Sequence, residues 1–334
     1  MTPEAPPEPA PKPPSMPTEE PVNRPEMKLD QLPEDFFDPD DSDNRCFVCG
    51  EPRYRLLHEV RHFAYPFRFQ QCACGMIKQT PMPNAKFFEW FFNSETFFSS
   101  KQEGVDGIWG YYDFFADEGC RMSTSRYRYR KLRRVFDTGR SLEVIKIGPS
   151  TGTFLHVANR HGHHAIGCDV SSRFAGYATE QYGVHIDIGR FEAQDYRDGQ
   201  FDVVVFLNVV ENVPNLDEFL AAVQRTVKVG GHTVFNFVDM QDNWVARMQK
   251  ERYFIYRPPV CYAFGRDVMA RMMDQFGFRV EAQYRDVRYM HLEKVFTLLG
   301  WRLPHRLAKA LKVHRIPFPI YAYPSKVVVA TRVR

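Results

Sequence analysis

Two groups of residues in this sequence have types and spacings that could do chemistry. The first is the turn Gly148-Pro-Ser-Thr-Gly152, which follows an apolar strand and opens a helix, so its backbone can approach a ligand beside the positive end of that helix. Asp169 ends the next strand about twenty residues on, where a carboxylate can accept hydrogen bonds from both hydroxyls of a ribose. A dinucleotide loop wants glycine at 148, 150 and 153, and the chain has Ser150 and Thr153, which disfavours NAD. The second group is Cys46-Phe-Val-Cys49-Gly50 with Cys72-Ala-Cys74-Gly75. Two such knuckles, separated by enough chain for a pair of strands, can close four thiolates on a tetrahedral structural Zn²⁺. Glycine after each pair permits the tight turn that aims backbone amides at sulfur. With no open coordination position, such an ion serves folding or lid placement rather than catalysis. Cys120, Cys168 and Cys261 read as ordinary small core residues.

The elements that must position these groups follow from composition and periodicity. Residues 1–44 are rich in Pro, Glu and Asp and poor in apolar side chains, which predicts a disordered tail. Residues 45–80 hold the cysteine module. Residues 81–140 are strongly aromatic, then basic, and predict a helical lid region whose rings pack on the next domain, cover a substrate, or do both. From 141 to 334, short apolar strands alternate with helical segments, the pattern of a doubly wound α/β domain with a parallel sheet. Strands are expected at 142–147, 165–168, 184–188, 201–207 and 233–237, with Gly230-Gly231 turning the chain into the fifth. Final strands are expected at 278–284 and 326–331, separated by a helical insertion over 289–317.

A later stretch narrows the ligand. Phe201-Asp-Val-Val, Glu211 and Gly230-Gly231 follow the glycine loop and Asp169 in order, and in this set the chain resembles class I S-adenosyl-L-methionine (SAM)-dependent methyltransferases with an amino-terminal CxxC…CxCG segment, often assigned to bacterial small-molecule or saccharide modification. The resemblance covers roughly residues 45–334. It implies a Rossmann-like seven-stranded sheet, a zinc-ribbon-like module, and SAM as cofactor. It places Gly148, Ser150 and Gly152 on the methionine portion, Asp169 on the ribose, Glu192 beside the adenine, and Asn208 and Val209 beneath the sulfonium. Lys146 stands where the family usually has Asp or Glu, and Arg190 and Asn212 also depart from its pattern. A cation at 146 some 6 Å from a cationic cofactor would cost about 3 kcal/mol at an effective dielectric near 20, unless it turns away or meets the methionine carboxylate.

The chemistry implied is displacement at a methyl group, for which alignment and desolvation supply most of the acceleration. If the acceptor must lose a proton, Glu211, His291 and Tyr111 are the candidate bases. The acceptor implied is a small molecule, with a sugar or glycan-pathway intermediate as the first expectation. Two other readings fit some of the residues. A partner subunit that has kept the fold without turnover fits the departures at 146, 190 and 212, and an RNA-modifying enzyme would use the zinc module and a basic helix. A net charge of +3 from 44 basic and 41 acidic residues disfavours nucleic acid. Arg126, Arg130 and Arg134 fall on one helical face, read as solvated, with a phosphate clamp as the sharper alternative. His161-Gly-His163-His164 reads as a surface turn. No apolar run reaches the roughly 20 residues of a membrane span, and the start lacks a secretion signal, so the expected location is cytoplasmic. The basic, apolar-rich stretch within the insertion fits a cleft cap or a weak membrane-surface contact.

Overall fold

The computed structural model describes residues 32–38, 45–62, 65–98, 115–292, 295 and 316–334. The chain enters through a 3-10 turn at Glu34–Phe36 and strand β1 (Phe37–Asp38). Strands β2 (Tyr54–His62), β3 (Tyr65–Cys72) and β4 (Ile77–Thr80) then form an antiparallel meander, and β5 (Met82–Pro83) pairs back onto β1. Residues 32–38 correct the expectation of disorder up to residue 44. Leu32, Phe36 and Phe37 are buried, and both phenylalanines pack on Phe87. Three apolar side chains at the end of a polar segment suffice once the rest of the fold offers them a surface.

Four helices follow: α1 (Ala85–Phe91), α2 (Glu95–Phe98), α3 (Glu118–Lys131) and α4 (Arg133–Phe136). Asn84 starts α1 by accepting from the amides of Lys86 and Phe87. Helical spacing then puts Phe87 and Phe91, stacked on each other, into the core of the small sheet with Val60, Phe67 and Phe69. Arg126 and Arg130 on α3 and Arg134 on α4, which the sequence puts on one helical face, are all exposed, while Tyr129 is buried.

The main sheet has seven strands: β6 (Glu143–Ile147), β7 (His164–Asp169), β8 (Ile186–Ile188), β9 (Phe201–Phe206), β10 (Val227–Val238), β12 (Phe278–His291) and β13 (Pro317–Arg332). Their order is β12-β13-β10-β9-β6-β7-β8, with β8 through β10 parallel and the last two antiparallel. A short β11 (Tyr262–Ala263) instead joins the small sheet beside β4. Helices α5 (Thr153–Arg160), α6 (Ser172–Tyr182), α7 (Leu216–Thr226), α8 (Trp244–Gln249) and α9 (Arg266–Gln275) complete the fold. Val144, Val203 and Val205 meet α3, α5 and α6 on one face, and Ile145, Val204 and Phe206 meet α7 and α9 on the other. This is the doubly wound α/β arrangement that the alternating pattern predicts.

Two strand expectations need correction. Gly230-Gly231 does not precede the fifth strand but lies inside β10, as a bulge between Val227 and His232. A side chain on Gly231 would meet the Asp202 carbonyl at 2.8 Å. The expected insertion 289–317 begins and ends as strand, with β12 and β13 still paired at His291↔Pro317. Bulges between Val280 and Ala282 and between Arg285 and Val287 shift the alternation, so the apolar period reads as broken before the strand ends. Residues 293, 294 and 296–315 of that insertion lie outside the described residues, as does Tyr111. Among the described residues no helix is long and apolar enough to cross a membrane.

Candidate functional site

The carboxyl ends of β6, β7 and β9 open into a cavity of about 510 Å³, within the range of small-molecule sites. The loop after β6 turns through left-handed backbone at Gly148 (φ +60°), Ser150 (φ +56°) and Gly152 (φ +80°). Gly148 is required there, because a Cβ would come within 2.8 Å of Val209 Cγ2. The Ser150 amide donates to Asp169 Oδ2 at 3.2 Å and the Ser171 amide to Oδ1 at 3.0 Å, tying the loop to the end of β7. Burial pushes the Asp169 carboxyl up to about 6, against the pull of those amides and of Lys146.

Lys146 is buried, and its Nζ donates to the Gly148 carbonyl at 2.6 Å. Burial, then the charge of Arg128, lowers its pKa to about 7, with Asp169 opposing. The cation is therefore directed at the loop backbone and is weakened, which resolves much of the repulsion anticipated from its position. Arg190 pairs with Glu192 at 3.4 Å on the cavity rim, so the second departure carries its own counter-charge.

Lys146, Gly148, Ser150, Asp169, Glu192, Asn208 and Val209 all line this cavity, as do Arg190 and Asn212. Gly152 sits behind the lining at the start of α5, where a Cβ would meet Ala178 Cβ at 2.8 Å. The hydroxyls of Ser150 and Thr151 are buried with no hydrogen-bond partner among the described residues. Such orphans cost about 1–3 kcal/mol each unless a ligand completes them, and a ligand bearing a carboxylate and an ammonium group fits that need. The residues present therefore fit SAM.

The candidate bases are placed differently. Glu211 lies outside the cavity lining, buried, with Oε1 accepting from the Val238 amide at 2.7 Å. Its acidic type suggested a cavity role, but it caps backbone at the end of β10. Burial pushes its carboxyl up to about 7 from 4.5, against that amide's pull. A pKa raised by folding gives stability that is present below about 4.5 and is lost as pH rises through about 7. Glu211→Gln keeps an oxygen for Val238 and cannot ionise, so it is expected to raise the unfolding free energy at pH 8 by about 2 kcal/mol. Denaturant melts that coincide for the two proteins at pH 8 would contradict this account. His291 ends β12 with Nε2 3.3 Å from Asp117 Oδ1, and Asp117 lines the cavity.

Rings of the expected aromatic lid complete the wall, together with residues that sequence reasoning missed. Phe88, Phe92, Phe97 and Phe174 give it an apolar side, so the aromatic segment is both core and cavity wall. Cys120 and Cys168 also reach it. Opposite stand Arg128 from α3 and Arg288 from β12, both paired with the buried Asp286. The spacing Asp286-Val-Arg288 on a strand was the available signal, since alternate residues share a face.

In the cysteine module the four sulfur atoms lie within 4.8 Å of one another. Cys46 and Cys74 are 3.7 Å apart and Cys49 and Cys72 are 3.4 Å apart. A tetrahedron of thiolates about 2.3 Å from a zinc ion has edges of about 3.8 Å, so the set fits such an ion. The single residue between Cys72 and Cys74 does not prevent closure, because Gly75 (φ +99°) turns the chain and donates to the Cys72 carbonyl at 2.9 Å.

The chain is similar to several known proteins. A family model described as a methyltransferase domain matches residues 121–283. An uncharacterized protein of Methanocaldococcus jannaschii is 30% identical over 121 residues, 36% of this chain and 55% of that one. A ubiquinone biosynthesis O-methyltransferase of Agrobacterium fabrum is 30% identical over 95 residues, 27% of this chain and 38% of that protein. The chain thus spans about half or less of the length of these curated relatives. Among solved structures, a SAM-dependent methyltransferase from Archaeoglobus fulgidus is similar with a TM-score of 0.46 and 16% identity, covering 65% of this chain and 98% of that one. Over residues 121–283, just under half of its length, the chain is similar to the methyltransferase-domain family, and the glycine loop and Asp169 lie inside the matched stretch.

Proposed function

We propose that this protein transfers a methyl group from SAM to a small-molecule acceptor. The observation that carries the reading is one continuous cavity joining the glycine loop, with its two orphaned hydroxyls, to an aromatic and basic wall that no donor-binding role requires. SAM supplies an electrophilic methyl on a sulfonium. The chain's own residues do the rest. Asp169 would hold the ribose, the amides and hydroxyls of residues 148–151 the methionine end, and the Arg190–Glu192 rim the base. Phe88, Phe92 and Phe97 would exclude water and offer a flat apolar surface to the acceptor. A sugar or glycan-pathway intermediate can meet that surface through the C–H face of its ring and is the narrower reading. Where the acceptor is a hydroxyl, Asp117 would receive its proton and His291, paired to it, would hold the charge.

We also propose that Cys46, Cys49, Cys72 and Cys74 hold a structural zinc ion. The sulfur spacings support it, and the ion would have no open position for chemistry. The rival reading, a fold kept without turnover, is weakened by the pairing of Arg190 and the redirection of Lys146.

Isothermal titration of SAM and S-adenosylhomocysteine tests the proposal. Wild type is expected to bind both at micromolar affinity. Asp169→Asn loses charge-assisted bonds to the ribose and weakens the tie to Ser150, for an expected loss of about 10- to 100-fold. No binding at millimolar SAM would favour the non-catalytic partner subunit instead.

A further inference from the structure

The part of the cavity wall built by α3 and β12 carries a charge arrangement that donor binding leaves unexplained. Asp286, on β12, is fully buried, and its two oxygens serve two guanidinium groups. Arg128 Nη2 donates to Oδ1 at 2.6 Å and Arg288 Nε to Oδ2 at 3.1 Å. Asn236 and the Ser325 hydroxyl also donate to Oδ2, each at 3.2 Å. Burial alone would push this carboxyl up, but the two guanidiniums outweigh it and hold it below its ordinary value, so it stays an anion. Elsewhere around the cavity each cation has a carboxylate to itself. Arg190 pairs with Glu192, Arg121 with Glu118, and Lys146 stands near Asp169. Asp286 answers two cations at once.

Of those two, Arg288 reaches further out, with 39% of its side chain exposed against 12% for Arg128. Its Nη2 donates to Asn208 Oδ1 at 2.6 Å, and Asn236 Nδ2 donates to the same oxygen at 2.9 Å. An amide oxygen held by two donors fixes the sense of the amide, so Asn208 offers N–H donors on its other side. Asn208 itself sits at φ +60°, exposed in the cavity, anchored by its own amide donating to Asn236 Oδ1 at 2.5 Å. Arg288 Nη1 has no hydrogen-bond partner among the described residues. Two donor groups, Arg288 and Asn208, are thus preset side by side beneath a largely apolar cavity.

From this geometry we propose that Arg288 and Asn208 bind an oxyanion, and that the methyl acceptor is a small molecule with an apolar body and a carboxylate or phosphate head. The word acceptor rests on the methyltransferase reading; the oxyanion site does not. Arg288 Nη1 and the Asn208 amide can each donate to an oxygen of either head group, and the guanidinium supplies the opposite charge.

The test is calorimetric titration of the full-length protein with phenyl phosphate, benzoate and benzyl alcohol, each with and without saturating S-adenosylhomocysteine. At least one anion is expected to bind about tenfold or more tighter than the alcohol, as a charge-assisted hydrogen bond predicts. A preference for phenyl phosphate assigns a phosphate head, and a preference for benzoate a carboxylate. Arg288→Gln is expected to remove the preference, and Arg288→Lys to restore part of it. If neither anion exceeds benzyl alcohol on wild type, or if Arg288→Gln binds the anions as wild type does, the proposal is wrong and Arg288 serves only to neutralise Asp286. The wild-type comparison decides even if Arg288→Gln fails to fold. Anion binding without S-adenosylhomocysteine binding would keep the site and sink the methyltransferase reading, and the converse would do the reverse.

Discussion

Removing the zinc ion proposed for the cysteine module, by chelation or by Cys72→Ser, is expected to lower the melting temperature by at least 10 °C. The size follows from where the module sits. Cys46, Val48, Cys72 and Met76 are buried in the same core as Val268, Met269 and Met272 of α9 and the strands beneath them. Arg271 donates to the Cys74 carbonyl at 2.8 Å and Gln275 to the Phe47 carbonyl at 3.3 Å, so the knuckles are also tied to α9 by hydrogen bonds. Structural zinc sites contribute on the order of 10 kcal/mol, and even half of that matches the lower end of the roughly 5–15 kcal/mol that holds whole domains folded. At about 2–4 °C per kcal/mol for a domain of this size, a 10 °C fall is the lower end of the expectation. Metal analysis of the purified chain should find one zinc per molecule, and calorimetric scans with and without chelator measure the shift. A protein that purifies without metal, and melts at the same temperature as Cys72→Ser, would show that the four thiols merely pack.

His291→Asn is expected to lower kcat by about 10²- to 10³-fold for a hydroxyl acceptor while leaving SAM affinity near wild type. His291 is 16% exposed and Asp117 15%, and the pair stands at the cavity edge where β12 meets the start of α3. Removal of the imidazole leaves Asp117 to accept the proton without a partner to share the charge. The rate should then recover with rising pH, as the acceptor ionises unaided. A flat pH profile with an unchanged kcat would assign His291 to packing alone, and methyl transfer would proceed without a protein base.

How far the sequence carried this description depends on the distance over which each feature is encoded. Val203-Val-Val205 and the Gly148–Gly152 turn declare themselves within a few residues, so the sheet centre and the glycine loop at the cavity were legible. Asp169 was legible because one strand–helix–strand unit separates it from the loop that it contacts. Arg128 and Asp286 lie 158 residues apart, and nothing in either neighbourhood names the other. Glu211 shows the opposite error: its local context matches the family's, yet its carboxylate serves the Val238 amide. The buried Leu32, Phe36 and Phe37 were hidden by composition, since averaging over a proline-rich segment masks three apolar residues at its end.

The long pairing of β12 with β13 ties one wall of the cavity to the edge of the main sheet. Tyr289 and Met290 on one strand, and Ile320 and Ala322 on the other, reach the cavity on the same two strands whose far halves close the main sheet. A single-residue insertion in either strand must be taken up as a bulge, as between Val280 and Ala282 and between Arg285 and Val287, or it turns every wall side chain beyond it to the opposite face. Side chains of this wall can therefore be exchanged one at a time, whereas the length of the two strands can change only by matched pairs or by a further bulge.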